Sequence, residues 1–504
     1  MSTAPARSST GGSSDDDSPD PRRWRALSVT LAAGFMSLLD VSIVSVALPS
    51  IQQGLGTGSA GAQWVVSGYA LTFGLALVPA GRLGDALGRR RMFLIALTAF
   101  IAFSALAGAA PSITWLIVAR LAQGLAAGAL APQNSALIQS LFRGAERGRA
   151  FGLFGATVGI STAAGPIVGG ALLALFGEPD GWRWIFYVNV PIGVLALVLA
   201  ARLLPKLSSD RPRGHIDWVG VGLLGGAVLA LLLPLVQAES GGLSRLSWLF
   251  PIGVVLGVVF VLWERRELRR EKEPLLDLRL ITQTPGYAPG ALLGLVYFTG
   301  FSGVWIVFAQ FYQGGLGYTP LQSGLSVTSF AIGSAVSAVV AGRLVERYGR
   351  RLTVFGLSAV ATGIAAAALV LLLAPPSVAG FAVAPALLLG GIGGGFVISP
   401  NITMTLRNVP VRMAGSAGGA LQTGQRVGAA VGTAIVAGVY FGVLAWSGRN
   451  FHLAIAVALG VAVVTTLIAL GIGIADLGNE KRRDSGDEPE RDPRDGPPYH
   501  VLHE

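Results

Sequence analysis

The sequence contains no cysteine, which removes disulfides, thiol nucleophiles and cysteine-bound metals from consideration. It is also poor in charge. Only 13% of its 504 residues are Asp, Glu, Lys or Arg, about half of what a water-soluble domain carries. The four histidines, His215, His452, His500 and His503, form no metal-spaced pair inside an apolar segment, so no metal site is expected. No nucleotide-cradling loop, metal cluster or nucleophile–base arrangement is present either. Neither an enzyme nor a resident cofactor is therefore expected. Lysine is nearly missing, with Lys206, Lys272 and Lys481 the three among 37 basic residues.

What the chain does have is apolar length: 52% hydrophobic residues and 70 glycines. A helix rises 1.5 Å per residue, so about twenty apolar residues cross a ~30 Å hydrocarbon layer. Fourteen such stretches separate: 27–47, 63–80, 92–110, 113–133, 150–172 and 184–203, then 218–236 and 247–263, then 289–312, 323–341, 352–373, 378–399, 415–440 and 451–474. Each is expected to be a helix, because backbone polar groups in lipid must pair within the chain. The expected class is an all-α membrane protein. Residues 1–21 and 477–504 are rich in Ser, Pro, Asp and Arg and are expected to be disordered tails. The acidic, polar start does not resemble a signal peptide.

The basic residues orient these spans. With the N-terminus placed in the cytoplasm, 32 of the 37 fall on the inner side. Arg183, Arg245 and Arg449 fall outside, while Arg120 and Arg426 lie within spans. This asymmetry is the positive-inside rule, with both termini cytoplasmic. The net charge of +10 is thus a topology signal with some attraction to anionic lipid, not a nucleic-acid surface.

An internal repeat sets the architecture. Gly81-Arg82-Leu83-Gly84-Asp85-Ala86-Leu87-Gly88-Arg89-Arg90-Arg91 joins spans two and three. Gly342-Arg343-Leu344-Val345-Glu346-Arg347-Tyr348-Gly349-Arg350-Arg351 joins spans ten and eleven, 261 residues later. The step covers eight spans, which implies six helices, an inserted pair and six more. The expected domains are a six-helix bundle at 22–206, two linker helices within 207–285, and a second six-helix bundle at 286–476. Asp85 is positioned to pair with Arg89 one turn later or to cap the following helix.

Two intramembrane charges stand out. Asp40 lies seven residues, about 10 Å, short of the outer end of the first span. Arg120 lies equally deep in the fourth, so the two are expected to pair, since isolated charges there are costly. The fifth span carries Gly165-Pro166-Ile167-Val168-Gly169-Gly170, where small residues allow close helix approach and proline removes a donor. Tyr297, Phe301, Trp305, Phe308 and Tyr312 fall within an arc of about 80° on the ninth span. They form either a packing stripe or a cavity wall offering stacking and cation–π contacts. Phe301 occupies the repeat position of Asp40. Arg426, between Gly424 and Gly428, is either buried against backbone carbonyls or faces a central cavity.

The repeated loop resembles the signature of the major facilitator superfamily. Gly165-Pro166…Gly169-Gly170, the Trp182-Arg183-Trp184-Ile185-Phe186-Tyr187-Val188-Asn189-Val190-Pro191 string and Asp217-Trp218-Val219-Gly220 resemble its fourteen-helix drug:proton antiporter branch (the EmrB/QacA type). The resemblance implies a 6+2+6 arrangement and a bacterial inner-membrane exporter of amphipathic drugs, driven by the proton gradient through alternating access. Its partners would be a small molecule, protons and the bilayer, with the chain acting as a monomer. It implies proton coupling at Asp40 and Arg120. It also implies a cytoplasmic latch at Gly81, Asp85, Gly88 and Arg89, echoed by Glu346 and Arg350, and an antiporter motif at Gly165, Pro166, Gly169 and Gly170. Ser161 departs from the usual glycine. Spans two, ten and thirteen lack the additional acids of some relatives, which argues against strong cation preference. An importing proton symporter is the alternative on the same fold.

Overall fold

The computed structural model describes residues 21–177, 180–205, 217–237, 241–270, 272 and 274–484, and all regular structure among them is helical. The first six long helices are α1 (Arg23–Leu55), α2 (Ser59–Leu87), α3 (Arg89–Gly108), α4 (Ile113–Leu141), α5 (Gly144–Phe176) and α6 (Asn189–Leu203), the last entered through the short turn Arg183–Tyr187. A hairpin of α7 (Trp218–Val236) and α8 (Leu249–Arg269) follows. The second set is α9 (Tyr287–Ala309), α10 (Pro320–Tyr348), α11 (Arg350–Leu373), α12 (Ala384–Thr405), α13 (Ala414–Trp446) and α14 (Phe451–Asp484).

Among the described residues twelve helices, rather than the fourteen expected, are long and apolar enough to cross a membrane. α5 contributes only Ile167–Phe176, as a shorter apolar helix. α8 ends in the charged run Glu264, Arg265, Arg266, Glu267 and Arg269. The tails expected at 1–20 and 485–504 lie outside the described residues. α14 continues through Asp484, beyond the boundary at 476 expected from the sequence.

Local sequence explains the helix ends. Ser112 accepts the Trp115 N–H, Asp217 accepts the Gly220 N–H, and Thr319 with Gln322 closes a capping box. The two loop repeats turn on glycines with positive φ, Gly88 at 99° and Gly349 at 51°, which a side chain would strain.

The two sets form separate apolar cores. Phe93, Phe100 and Leu130 sit in the N-terminal one, Tyr297, Phe311 and Leu357 in the C-terminal one. The halves meet along two quasi-equivalent seams, α2 on α13 and α5 on α10. In the first, a Cβ at Gly81 would collide with the Gly415 carbonyl, and one at Gly419 would press on Leu77. In the second, a Cβ at Gly342 would lie 2.6 Å from the Gly148 oxygen and the Gly152 Cα. Gly155 faces Ala338 and Ser399 higher on the same seam. These contacts lie toward the arginine-rich loops, so the molecule is closed on that side. The α7–α8 hairpin covers the α2–α13 seam through Val228 and Leu232, packed with Leu71, Leu75, Val427 and Ala430.

Candidate functional site

Asp40 is fully buried, as is Arg120, and the two meet with Nη1 and Oδ2 at 2.5 Å. The expected partnership between equal depths is therefore seen as an ion pair. Two further donors complete the carboxylate: Gln123 Nε2 at 3.1 Å and Asn189 Nδ2 at 2.9 Å, both on Oδ1. Arg120 also donates to the Val65 carbonyl at 3.0 Å and to Gln123 Oε1 at 2.7 Å. Its guanidinium stacks 4.1 Å over the Tyr69 ring, and Tyr69 donates to the Ser37 carbonyl. Asn189 reaches on to Ser104, which donates to the Phe186 carbonyl. Removing either charge would leave the other uncompensated in hydrocarbon, a loss of about 3–5 kcal/mol for a buried pair.

The helices approach closely around this carboxylate. Gly165 of α5 admits the Ser42 side chain, and Gly169 lies against Ile43, both residues of α1 next to Asp40. Ser42 donates to the Ser161 carbonyl at 3.1 Å, tying the seam. Gly170 has open space beside it. Pro166 lies within α5, and its side chain is outside the described residues.

The first loop repeat bridges the halves. Asp85 accepts the Gly415 and Ser416 N–H groups at 3.0 and 2.9 Å. These are orphan donors in the first turn of α13, so the carboxylate caps a helix of the opposite half. This corrects the expectation that it caps the following helix. Its pairing with Arg89 is present at 3.3 Å, and Arg89 further donates to the Ala136 and Val411 carbonyls. The second repeat behaves otherwise. Arg350 binds Asp476 and Asn401, each at 2.6 Å, wholly within the C-terminal half. Glu346 is exposed, with its carboxylate near Gly144 at the start of α5.

The aromatic stripe divides. Tyr297, Phe308 and Tyr312 are buried and pack into the C-terminal core. Phe301 and Trp305 remain half-buried, against each other and Phe330. Arg426 is half-buried, 4.4 Å over the Phe73 ring of α2, and it donates to no backbone carbonyl among the described residues.

Sequence reasoning missed Gln123, Asn189, Ser104 and Tyr69 as members of the Asp40 network. Gln123 stood three residues from Arg120, on the same helix face. Asn189 is separated from Asp40 by 149 residues, and no local pattern marks that contact.

The model of the Major Facilitator Superfamily matches residues 30–263 and 290–497. The chain is 36% identical over 437 residues to the probable actinorhodin transporter of Streptomyces coelicolor, covering 84% of this chain and 74% of that protein. It is 36% identical over 475 residues to the puromycin resistance protein pur8 of Streptomyces alboniger, covering 90% and 91%. Among solved structures, the human organic anion transporter MFSD10 (TETRAN) is similar with a TM-score of 0.64 at 15% identity, over 90% of this chain and all of that one. That last likeness concerns the fold alone. The chain belongs to the major facilitator superfamily and is a multi-pass membrane transporter, not an enzyme.

Proposed function

We propose that this superfamily member exports amphipathic drugs or antibiotics from a bacterial cell in exchange for protons, by alternating access between its two halves. The names of the similar Streptomyces proteins, a transporter and a resistance protein, support the export of antibiotics. The observation that carries the proton step is the sealed Asp40 carboxylate with three side-chain donors, Arg120, Gln123 and Asn189.

The proposed cycle uses this chemistry directly. In the state closed at the arginine-rich loops, Asp40 takes a proton from the outside. Neutralising it weakens the hold on Arg120, the N-terminal network relaxes, and the grip of Asp85 on α13 opens. Drug binding from inside and proton release then reset the pair. One pH unit and 100 mV together supply ~3.7 kcal/mol per proton, enough for roughly a 500-fold gradient of a neutral drug.

We read the architecture as fourteen spans in a 6+2+6 order in the bacterial inner membrane, acting as a monomer. Support comes from the length of α5, 33 residues, and from the apolar stretch 247–263 that α8 carries ahead of its charged end. The eight-span step between the loop repeats agrees with it.

The test is transport in inside-out vesicles with an imposed pH difference. Wild-type protein should accumulate drug when the lumen is acidic and stop when a protonophore is added. Asp40→Asn should bind drug and not accumulate it. Undiminished pH-driven accumulation by a well-expressed Asp40→Asn variant would falsify the proton assignment.

A further inference from the structure

The export reading leaves one intramembrane charge without a role, and this inference rests on that reading and names its substrate class. Two arginines, Arg120 and Arg426, stand within the spans, against one carboxylate, Asp40, which is consumed by Arg120. The other described acids lie toward helix ends or in loops, and the buried Asp476 of α14 is paired with Arg350. Arg426 has neither an ion pair nor a hydrogen bond among the described residues.

Its neighbours follow from the face of α13 that it occupies. On one face of α13, Gly428 and Gly432 press against the α9 backbone at Leu295 and Thr299. Arg426, two residues before Gly428, points about 200° away from it, toward α2 of the other half. There it lies 4.4 Å over Phe73. Below it, toward the arginine-rich loops, the seam is closed by Gly419 on Leu77 and Gly415 on Gly81. Tyr69, one turn from Phe73, is the titratable group that faces it from α2, and Tyr69 is itself covered by Arg120. No described acid approaches it from α4, α7, α9 or α14. A cation–π contact compensates such a charge only in part, and the low dielectric makes the remainder a strong attractor for anions.

We propose that Arg426 is the specificity-determining residue of the transport site, and that it selects substrates carrying an aromatic phenolate or carboxylate. The aromatic body would lie by Phe73 while the anion takes the guanidinium fork, which presents planar, paired donors. A cationic drug would meet an unneutralised positive charge and be rejected.

The experiment uses the full-length protein, purified for binding and reconstituted for transport, with fluorescein as aromatic anion and ethidium as aromatic cation. Fluorescein should bind at least roughly tenfold more tightly than ethidium, about 1.4 kcal/mol. Arg426→Gln should abolish that difference, and Arg426→Lys should keep most of it. In the wild type alone, 2-naphthoate should displace fluorescein and its neutral amide should not. Equal displacement by the two naphthalenes overturns the proposal whether or not the variants fold, as does a fluorescein preference that survives in Arg426→Gln. Anion-selective binding without export of either dye would instead sink the export reading and leave the selectivity standing. Export of both dyes in the same ratio by wild type and Arg426→Gln would sink the selectivity and leave the export reading standing.

Discussion

The two halves differ most where the repeat sets them equal. Residue 40 of the N-terminal half is a buried aspartate held by three polar side chains. Its repeat position is Phe301, stacked at 5.3 Å on Tyr297 and edge-on to Trp305. The first half thus carries a group that can change charge, and the second offers an aromatic core that cannot. The loops repeat the contrast. Asp85 and Arg89 hold the opposite half by its backbone, while Arg350 holds only its own neighbours Asn401 and Asp476. In the proposed cycle the first half switches and the second keeps its shape while being moved.

The largest effect that would break this contrast is expected at the repeat pair itself. Asp40→Asn should lower pH-driven transport to the protein-free background, while Phe301→Leu should keep most of it, measured side by side in the same vesicles. Equal losses would show that the halves share the coupling. Next in size is the stability of the pair. Arg120→Leu strands a buried carboxylate and should destabilise the purified protein by about 3–5 kcal/mol. Adding Asp40→Asn to it should restore much of that stability, read by thermal unfolding, and none of the coupling. A double variant as unstable as Arg120→Leu would contradict the pairing.

A smaller effect is expected at the loops. Asp85→Asn weakens a charge-assisted cap of about 1–2 kcal/mol and should slow transport roughly tenfold. Glu346→Gln, an exposed side chain, should change the rate less than about twofold. Similar losses in both would erase the asymmetry. The smallest test concerns the hairpin that covers the seam. Glu264, one residue past the apolar stretch 247–263, is buried beside Asp217, and burial pushes its carboxyl up to about 8. A raised carboxyl binds its proton more tightly folded than unfolded. Its contribution is full below the usual glutamate range and is lost as pH rises toward 8. Unfolding stability should fall across that window, and Glu264→Gln should flatten the fall.

How much of this was legible in the chain follows from the range of each signal. The Asp40–Arg120 contact could be anticipated because depth is a count of residues times 1.5 Å, independent of topology. The loop repeat was visible because both copies kept Gly, an acid and Arg in register. The binding of Asp85 to α13 was not, since main-chain N–H groups leave no trace in residue identity. The same holds for Asn189, whose contact depends on where the turn Arg183–Tyr187 delivers α6. The five aromatics of the expected arc run as neighbouring rings along α9 and the turn that follows it, with Tyr312 past the end of the helix. The facing of the arc could not be read, because a core and a cavity wall ask for the same residues. The count of spans rested on hydropathy alone, and α8 shows the cost: its last two turns are charged though the helix runs on.

That Asp85 clasps peptide groups has a consequence for how such a protein can change over generations. A clasp on a side chain can be lost by any replacement of its partner. Here the partner side consists of the amides of residues 415 and 416, which every amino acid except proline supplies. Replacements at Ser416 leave the donor intact, and Gly415 is constrained chiefly by bulk against Gly81. Inherited loss of closure at the arginine-rich loops should therefore accumulate on the N-terminal side of the clasp, at Asp85, Gly81 and Arg89.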